Sequence, residues 1–175
     1  MITRAYTVCF EGMEPRLVEV ECAIANGLPA FSIVGLPDKA VSEARDRIRA
    51  AFSSLSIALP SKRITINLTP ADLPKEGAHL DLPIALSLLA GLDIIPEEDV
   101  ENALAIGEIS LDGRLNAVAG ALPAGLRQRS RMGRRHPCYC GANVVAADPA
   151  YERTKPHRTC SPAHLGRGAT LDRYE

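Results

Sequence analysis

The sequence has no run of about eighteen apolar residues, so no membrane-spanning helix is expected. Its first residues, MITRAYTVCFEG, lack the apolar stretch of a secretory signal, which makes the cytoplasm the expected location and a membrane an unexpected partner. There is no G-x-x-x-x-G-K-[ST] phosphate loop. Cysteine is too irregular for a disulfide framework: the count is five, an odd number, and Cys9 and Cys22 lie inside strand-like runs, where buried free thiols are expected. No Ser-His-Asp constellation can be assembled, because His79 is the only histidine in residues 1–123.

What is present suits one globular domain with a core, or one domain with a tail: 175 residues, 46% hydrophobic and 23% charged. The net charge of −1 conceals a division. Residues 1–123 hold ten Lys/Arg against seventeen Asp/Glu, whereas residues 124–175 hold ten against four. An acidic body carries a basic tail, and such asymmetry can mark a nucleic-acid contact. The plainer reading is a disordered tail.

Residues 16–25, RLVEVECAIA, alternate. Val18, Val20, Cys22 and Ile24 fall on one face and Glu19 and Glu21 on the other, the pattern of a half-buried strand. Residues 3–10 are expected as its hairpin partner, and AFSIVG at 30–35 as a third strand after the NGLP turn. Asp38 then stands where a helix N-cap belongs. Ala40, Val41, Ala44, Ile48, Ala51, Phe52 and Leu55 recur at helical spacing, with Lys39, Glu43, Arg45, Asp46, Arg47 and Arg49 on the other side, which predicts an amphipathic helix of about four turns. KRITINLTP at 62–70 is the next strand. LDLPIALSLLAGL is apolar nearly all round and is expected as a buried helix, with Asp81 as its cap and Pro83 in its first turn. PEEDVENA at 96–103 is a short acidic helix or turn, and LAIGEISL, DG and RLNAV are expected as a closing β-hairpin. Strands in runs with two helices free to pack on one face make an α+β fold.

After Pro123 no period of 2 or 3.6 is sustained, and Arg, Pro, Cys and His replace aliphatic residues. His136, Cys138, Cys140, His157, Cys160 and His164 are chemically zinc ligands, but C-x-C spacing is not that of a structural site, and no metal is expected. The arginines of RQRSRMGRR at 127–135 can contact phosphates, yet no aromatic residues interleave them for base stacking. In GLPDKA at 35–40 a helix N-terminus could attract an anion, but Asp38 would repel it. His79, beside Glu76 and Asp81, could act as a base, although a solvated loop residue is the expectation.

Three stretches carry a resemblance: VEVECAIANGLPAFSIVGLPDKAVSEARDRIRAA, PSKRITINLTPADLPKEGAHLDLPIALSLLA and IGEISLDGRLNAV. In this order and spacing, over residues 1–123, they resemble the N-terminal domain of the ComM/YifB family of bacterial Mg-chelatase-related AAA+ proteins. The resemblance implies the ribosomal protein S5 domain 2-like fold, a mixed sheet with helices on one face, shared with Lon-type proteolytic domains. Full-length relatives continue into an ATPase module, where ATP and magnesium are expected, and look like hexameric DNA motors that drive branch migration in natural transformation. The family thus implies an AAA+ ring or other self-association, and DNA, as partners. No cofactor is expected in this chain.

In Lon-type proteases a serine follows a K-[DE]-G-P turn, and a lysine follows the next hairpin. By resemblance the turn here is Lys75, Glu76, Gly77, with Ala78 for the proline and His79 at the serine position; the lysine position falls near Leu122, which is apolar. Family members usually have GPSFDLP where this chain has GAHLDLP. Lys75, Glu76 and His79 therefore mark a vestigial turn, and no catalytic residue is expected. The competing readings are a Lon-like ATP-dependent peptidase subunit and a nucleic-acid-binding module acting through the tail. Beyond Pro123 the family would continue with an alanine-rich helix and a further βα unit. The mixture found instead is expected to be disordered, or to arise from translation in a shifted frame, leaving the chain truncated before the ATPase.

Overall fold

A computed structural model of the chain describes residues 2–12, 14–116, 118 and, as backbone, 138–140. Strands β1 (Ile2–Glu11) and β2 (Glu14–Ala25) form an antiparallel hairpin whose register runs from Ile2↔Ala23 to Glu11↔Glu14. Alternation along β2 puts Val18, Val20 and Cys22 wholly inside, as expected, and leaves Glu19 and Glu21 on the open face. There Glu19 pairs with Arg4 at 2.8 Å, and Glu21 accepts from the Asn67 amide at 2.8 Å.

Strand β3 (Ala30–Val34), helix α1 (Lys39–Ser54) and strand β4 (Arg63–Thr69) make a β-α-β unit, with β3 parallel to β4 and β4 antiparallel to β2. The expected N-cap is in place: Asp38 Oδ1 accepts the Val41 N–H at 2.7 Å. Val41, Ala44, Ile48, Ala51 and Phe52 are the buried stripe of α1. Helix α2 (Asp81–Gly91) follows a single 3-10 turn at Ala78–Leu80 and is buried on nearly every side, with Leu82, Ile84, Ala85, Leu88, Leu89 and Ala90 all inside. Both helices share one core with the inward residues of β1, β2, β3 and β4. A short helix α3 (Glu97–Glu101) leads to β5 (Leu104–Ile106), which lies parallel to β1.

Residues 104–116 differ from the expected single hairpin. β5 joins the main sheet, and only β6 (Glu108–Ile109) and β7 (Leu115–Asn116) pair with each other. Gly107 divides them: its N–H donates to the His79 carbonyl at 3.0 Å and its carbonyl accepts from the Leu82 N–H at 3.0 Å, so its backbone is taken by the start of α2. The β6–β7 connection is residues 110–114, closed by the Ser110 N–H on the Arg114 carbonyl at 2.8 Å and with Gly113 at φ +87, so it is longer than a two-residue Asp-Gly turn.

A strand also lies inside the segment expected as a tail. β8 (Cys138–Cys140) pairs parallel with β5 and completes a six-stranded mixed sheet in the order β3-β4-β2-β1-β5-β8. Three residues are too few to show a period, and parallel pairing to a distant strand needs only backbone. The arginine cluster 127–135, Leu122, His136, His157, Cys160, His164 and the rest of 141–175 lie outside the described residues. The architecture is α+β, a mixed sheet with α1 and α2 on one face.

Candidate functional site: the Lys75–His79 turn

The turn quoted above as KEGAH is a junction of backbone contacts. Where β4 ends, the chain loops back beside the β3–α1 connection. Lys75 N–H donates to the Leu36 carbonyl at 3.2 Å, and the Lys75 carbonyl accepts from the Asp38 N–H at 2.9 Å. Asp38 works twice, since its second carboxylate oxygen accepts the Gly77 N–H at 3.3 Å while the first caps α1. Gly77 sits at φ +90, a backbone conformation that favours glycine, and a Cβ there would lie in tight contact, 3.1 Å, with His79 Nδ1.

Lys75 is wholly buried, with its Nζ donating to the Pro70 carbonyl. Burial pushes its ammonium below the ordinary lysine range, with Cys9 and Asp72 acting in the opposite direction. The Cys9 thiol, buried on β1, is pushed up to about 11 by desolvation, although the Glu76 N–H and the Lys75 charge oppose this. Burial thus favours the protonated thiol over the thiolate.

His79 is half-buried rather than solvated, which corrects the expectation for it. Its Nε2–H donates to the Val8 carbonyl at 3.0 Å, and its ring lies 6.3 Å from that of Phe10. Burial holds its pKa below the usual histidine value, against the Val8 bond and the charges of Asp81 and Asp38. The geometry thus brings Lys75 and His79 into one turn and ties both side chains to main-chain carbonyls. Glu76 points to solvent.

Asp81 was expected to cap α2. It is instead the first residue of that helix, has no exposure, and receives the Arg47 guanidinium through Nε at 2.7 Å and Nη2 at 2.9 Å. Its Oδ2 also accepts the Ile109 N–H at 3.3 Å. Arg47 Nη2 donates in addition to the Ala40 carbonyl at 2.8 Å. Desolvation raises the Asp81 pKa; Arg47 and Ile109 pull it back without cancelling the rise. The pair joins α1, α2 and β6. The sequence pattern puts Arg47 on the side of α1 opposite the apolar stripe, yet it lies three residues after Ala44 and four before Ala51, on the border of that stripe. That spacing was the available signal.

Among the described residues no group of three or more His, Cys, Asp or Glu is arranged to hold a metal ion, and no helix is long and apolar enough to cross a membrane.

The fold and this turn define a class: a mixed-sheet α+β domain in which a Lys-Glu-Gly turn feeds a buried helix. Comparison with known proteins gives its family. The family model for subunit ChlI of Mg-chelatase matches residues 20–136, past Pro123. An uncharacterized protein of Mycobacterium tuberculosis is 45% identical over 121 residues, covering 69% of this chain and 24% of that protein. Competence protein ComM of Haemophilus influenzae is 44% identical over 119 residues, covering 68% and 23%. YifB of Escherichia coli is 45% identical over 111 residues, covering 63% and 22%. The chain belongs to the family of Mg-chelatase subunit ChlI and, within it, is similar to the N-terminal region of the ComM/YifB proteins. It spans about a quarter of the length of these relatives.

Proposed function

We propose that this chain is a non-catalytic N-terminal module of a ComM/YifB-like, Mg-chelatase-related AAA+ protein, with the ribosomal protein S5 domain 2-like fold. The whole protein would act on DNA as an ATP-driven branch-migration motor in natural transformation, consistent with the competence role in the name of the Haemophilus relative. The module would support ring assembly or guide the substrate, while ATP and magnesium would bind the motor region of full-length relatives. The observation that carries this reading is the state of the Lys75–His79 turn. The amine of Lys75 and the Nε2–H of His79 are committed to the carbonyls of Pro70 and Val8, and the turn offers no hydroxyl. A Ser-Lys mechanism needs a hydroxyl nucleophile, where this chain has His79, and an amine at the position that by resemblance falls near the apolar Leu122. The turn instead ties α1, β1 and the β5–β6 junction together. The test is turnover by the purified chain on fluorogenic peptides and on ATP with magnesium. No hydrolysis above the buffer rate is expected. Peptide hydrolysis that disappears in His79→Ala, the residue at the serine position, would restore the peptidase reading, and ATP hydrolysis would contradict the non-catalytic reading.

A further inference from the structure

β3 is an outer strand of the sheet, and its far edge has no strand partner among the described residues. Its pairing to β4 is parallel, from Ala30↔Arg63 to Val34↔Asn67, and the Ala30 N–H donates to the Lys62 carbonyl. In a parallel ladder the N–H and C=O of one residue point the same way, and successive residues alternate. Ala30, Ser32 and Val34 therefore turn their backbone groups to β4, while Phe31 and Ile33 present theirs outward. Exposed edges are usually blunted by charge, but residues 28–37, LPAFSIVGLP, contain no charged side chain. They also expose apolar surface, with Leu28 at 80%, Val34 at 44% and Leu36 at 59%.

The order of these residues is symmetric about Ser32: Leu28, Ala30, Ser32, Val34, Leu36. We propose that β3 is a self-pairing edge, to which a second copy of the chain adds its own β3 antiparallel across a two-fold axis at Ser32. Phe31 of each copy then faces Ile33 of the other as a hydrogen-bonded pair, giving about four interchain hydrogen bonds from the four outward groups of each strand. Ser32 meets Ser32 and Ala30 meets Val34, so the exposed Val34 is covered, while the exposed Leu28 and Leu36 lie just beyond the two ends of the pairing. The charges at the two ends of the edge agree with this direction. Exposed Lys62 and Arg63, with Arg49 stacked 5.5 Å over Phe31, flank the start of β3. Exposed Asp72 and Glu76 lie in the loop held beside Pro37 at its other end, where Lys39 is already paired with Glu43 at 3.7 Å. Antiparallel pairing sets the basic end of one copy against the acidic end of the other. Pro29 and Pro37 bound the pairing, and the two-fold axis consumes the edge, so the assembly closes at two copies.

The test is sedimentation velocity of the full chain as wild type, Ser32→Lys, Ser32→Glu, and an equimolar mixture of the two variants. Ser32 is exposed and its hydroxyl contacts are at 3.5 Å, so both variants should keep the wild-type circular dichroism spectrum. The wild type is expected to sediment as a dimer, each variant alone as a monomer, and the mixture again as a dimer. Val34→Lys, exposed and off the axis, is expected to dissociate the dimer as well, and decides the matter if a Ser32 variant loses its fold. A monomeric wild type at about 100 μM overturns the proposal, since a specific interface of this kind falls at or below micromolar Kd. So does a dimer or larger ring that persists in Ser32→Lys, Ser32→Glu and Val34→Lys.

Discussion

Replacing Arg47 by Met should be among the most damaging single changes in the domain. The substitution keeps the length of the side chain and its packing along α1, and removes the guanidinium. Asp81, with no exposure, then loses both bonds of a bidentate pair at 2.7 and 2.9 Å and keeps only the Ile109 N–H at 3.3 Å. Breaking one side of a buried ion pair leaves an uncompensated charge and costs about 3–5 kcal/mol. Asp81→Asn should cost less, about 1–3 kcal/mol, because Asn can still accept from Ile109 and the partly exposed Arg47 can turn to water. The double change Arg47→Met with Asp81→Asn should fall short of the summed single losses by at least about 1 kcal/mol, the signature of a direct contact.

The pH dependence separates this from simple loss of packing. Burial raises the folded-state pKa of Asp81 above its ordinary 3.8. The folded chain therefore binds this proton more tightly than the unfolded chain. The contribution is present below the unfolded value and is lost as pH rises through the folded one. Without Arg47 the rise is larger, so the deficit of Arg47→Met should be greatest at pH 7 and shrink towards pH 4. Urea unfolding followed by circular dichroism at the two pH values measures both effects. A loss under about 1 kcal/mol at pH 7, strict additivity with Asp81→Asn, or a deficit unchanged at pH 4 would refute the assignment.

Other positions give further expectations. The folded-state pKa of His79 is depressed from 6.5 by burial, so stability present above the unfolded value is lost as pH falls from 6.5 through the folded value; His79→Gln, which can still donate to Val8, should flatten the urea midpoint between pH 7.5 and 5.5. Lys75→Met should stay within about 1.5 kcal/mol of wild type, because an apolar chain of similar length replaces a buried amine, whereas Lys75→Ala should lose about 2–5 kcal/mol to the cavity; equal losses in the two variants would mean that the amine itself holds the turn. Gly35→Ala should fail to fold or lose more than about 3 kcal/mol, since its Cβ would stand 2.2 Å from the Leu68 carbonyl oxygen at a residue with φ +100, while Gly12→Ala, at φ +62 in open space, should cost about 1 kcal/mol. Thermal melts of the two glycine variants compare them directly.

Local pattern made much of the fold legible. The alternation of Val18, Val20 and Cys22 against Glu19 and Glu21 identified β2, the spacing from Val41 to Phe52 gave α1 and its buried face, and Asp38 marked its cap. The all-round apolar character of 82–90 foretold a buried α2. The misses share a cause, which is that distant backbone decided them. Gly107 divides 104–111 because the start of α2 claims its N–H and carbonyl, and no periodicity in LAIGEISL reveals this. β8 has three residues and takes its place from β5. At the site, the resemblance singled out Lys75, Glu76 and His79, but not that Lys75 is wholly buried or that His79 reaches back to Val8 across 71 positions. Arg47 and Asp81 went unpaired in the sequence because each had a sufficient local role, one on a helix face and one at a helix start.

The most direct test of whether the turn is a clamp rather than a working site is native-state hydrogen exchange by NMR on the full chain. The amides of Asp38, Lys75, Leu82 and Gly107 each donate across the junction. They should exchange as slowly as those of β1 and β2, opening only with the whole domain. Fast exchange at Lys75 and Gly107, while β1 and β2 remain protected, would mean that the turn opens by itself, and would contradict a structural role for KEGAH.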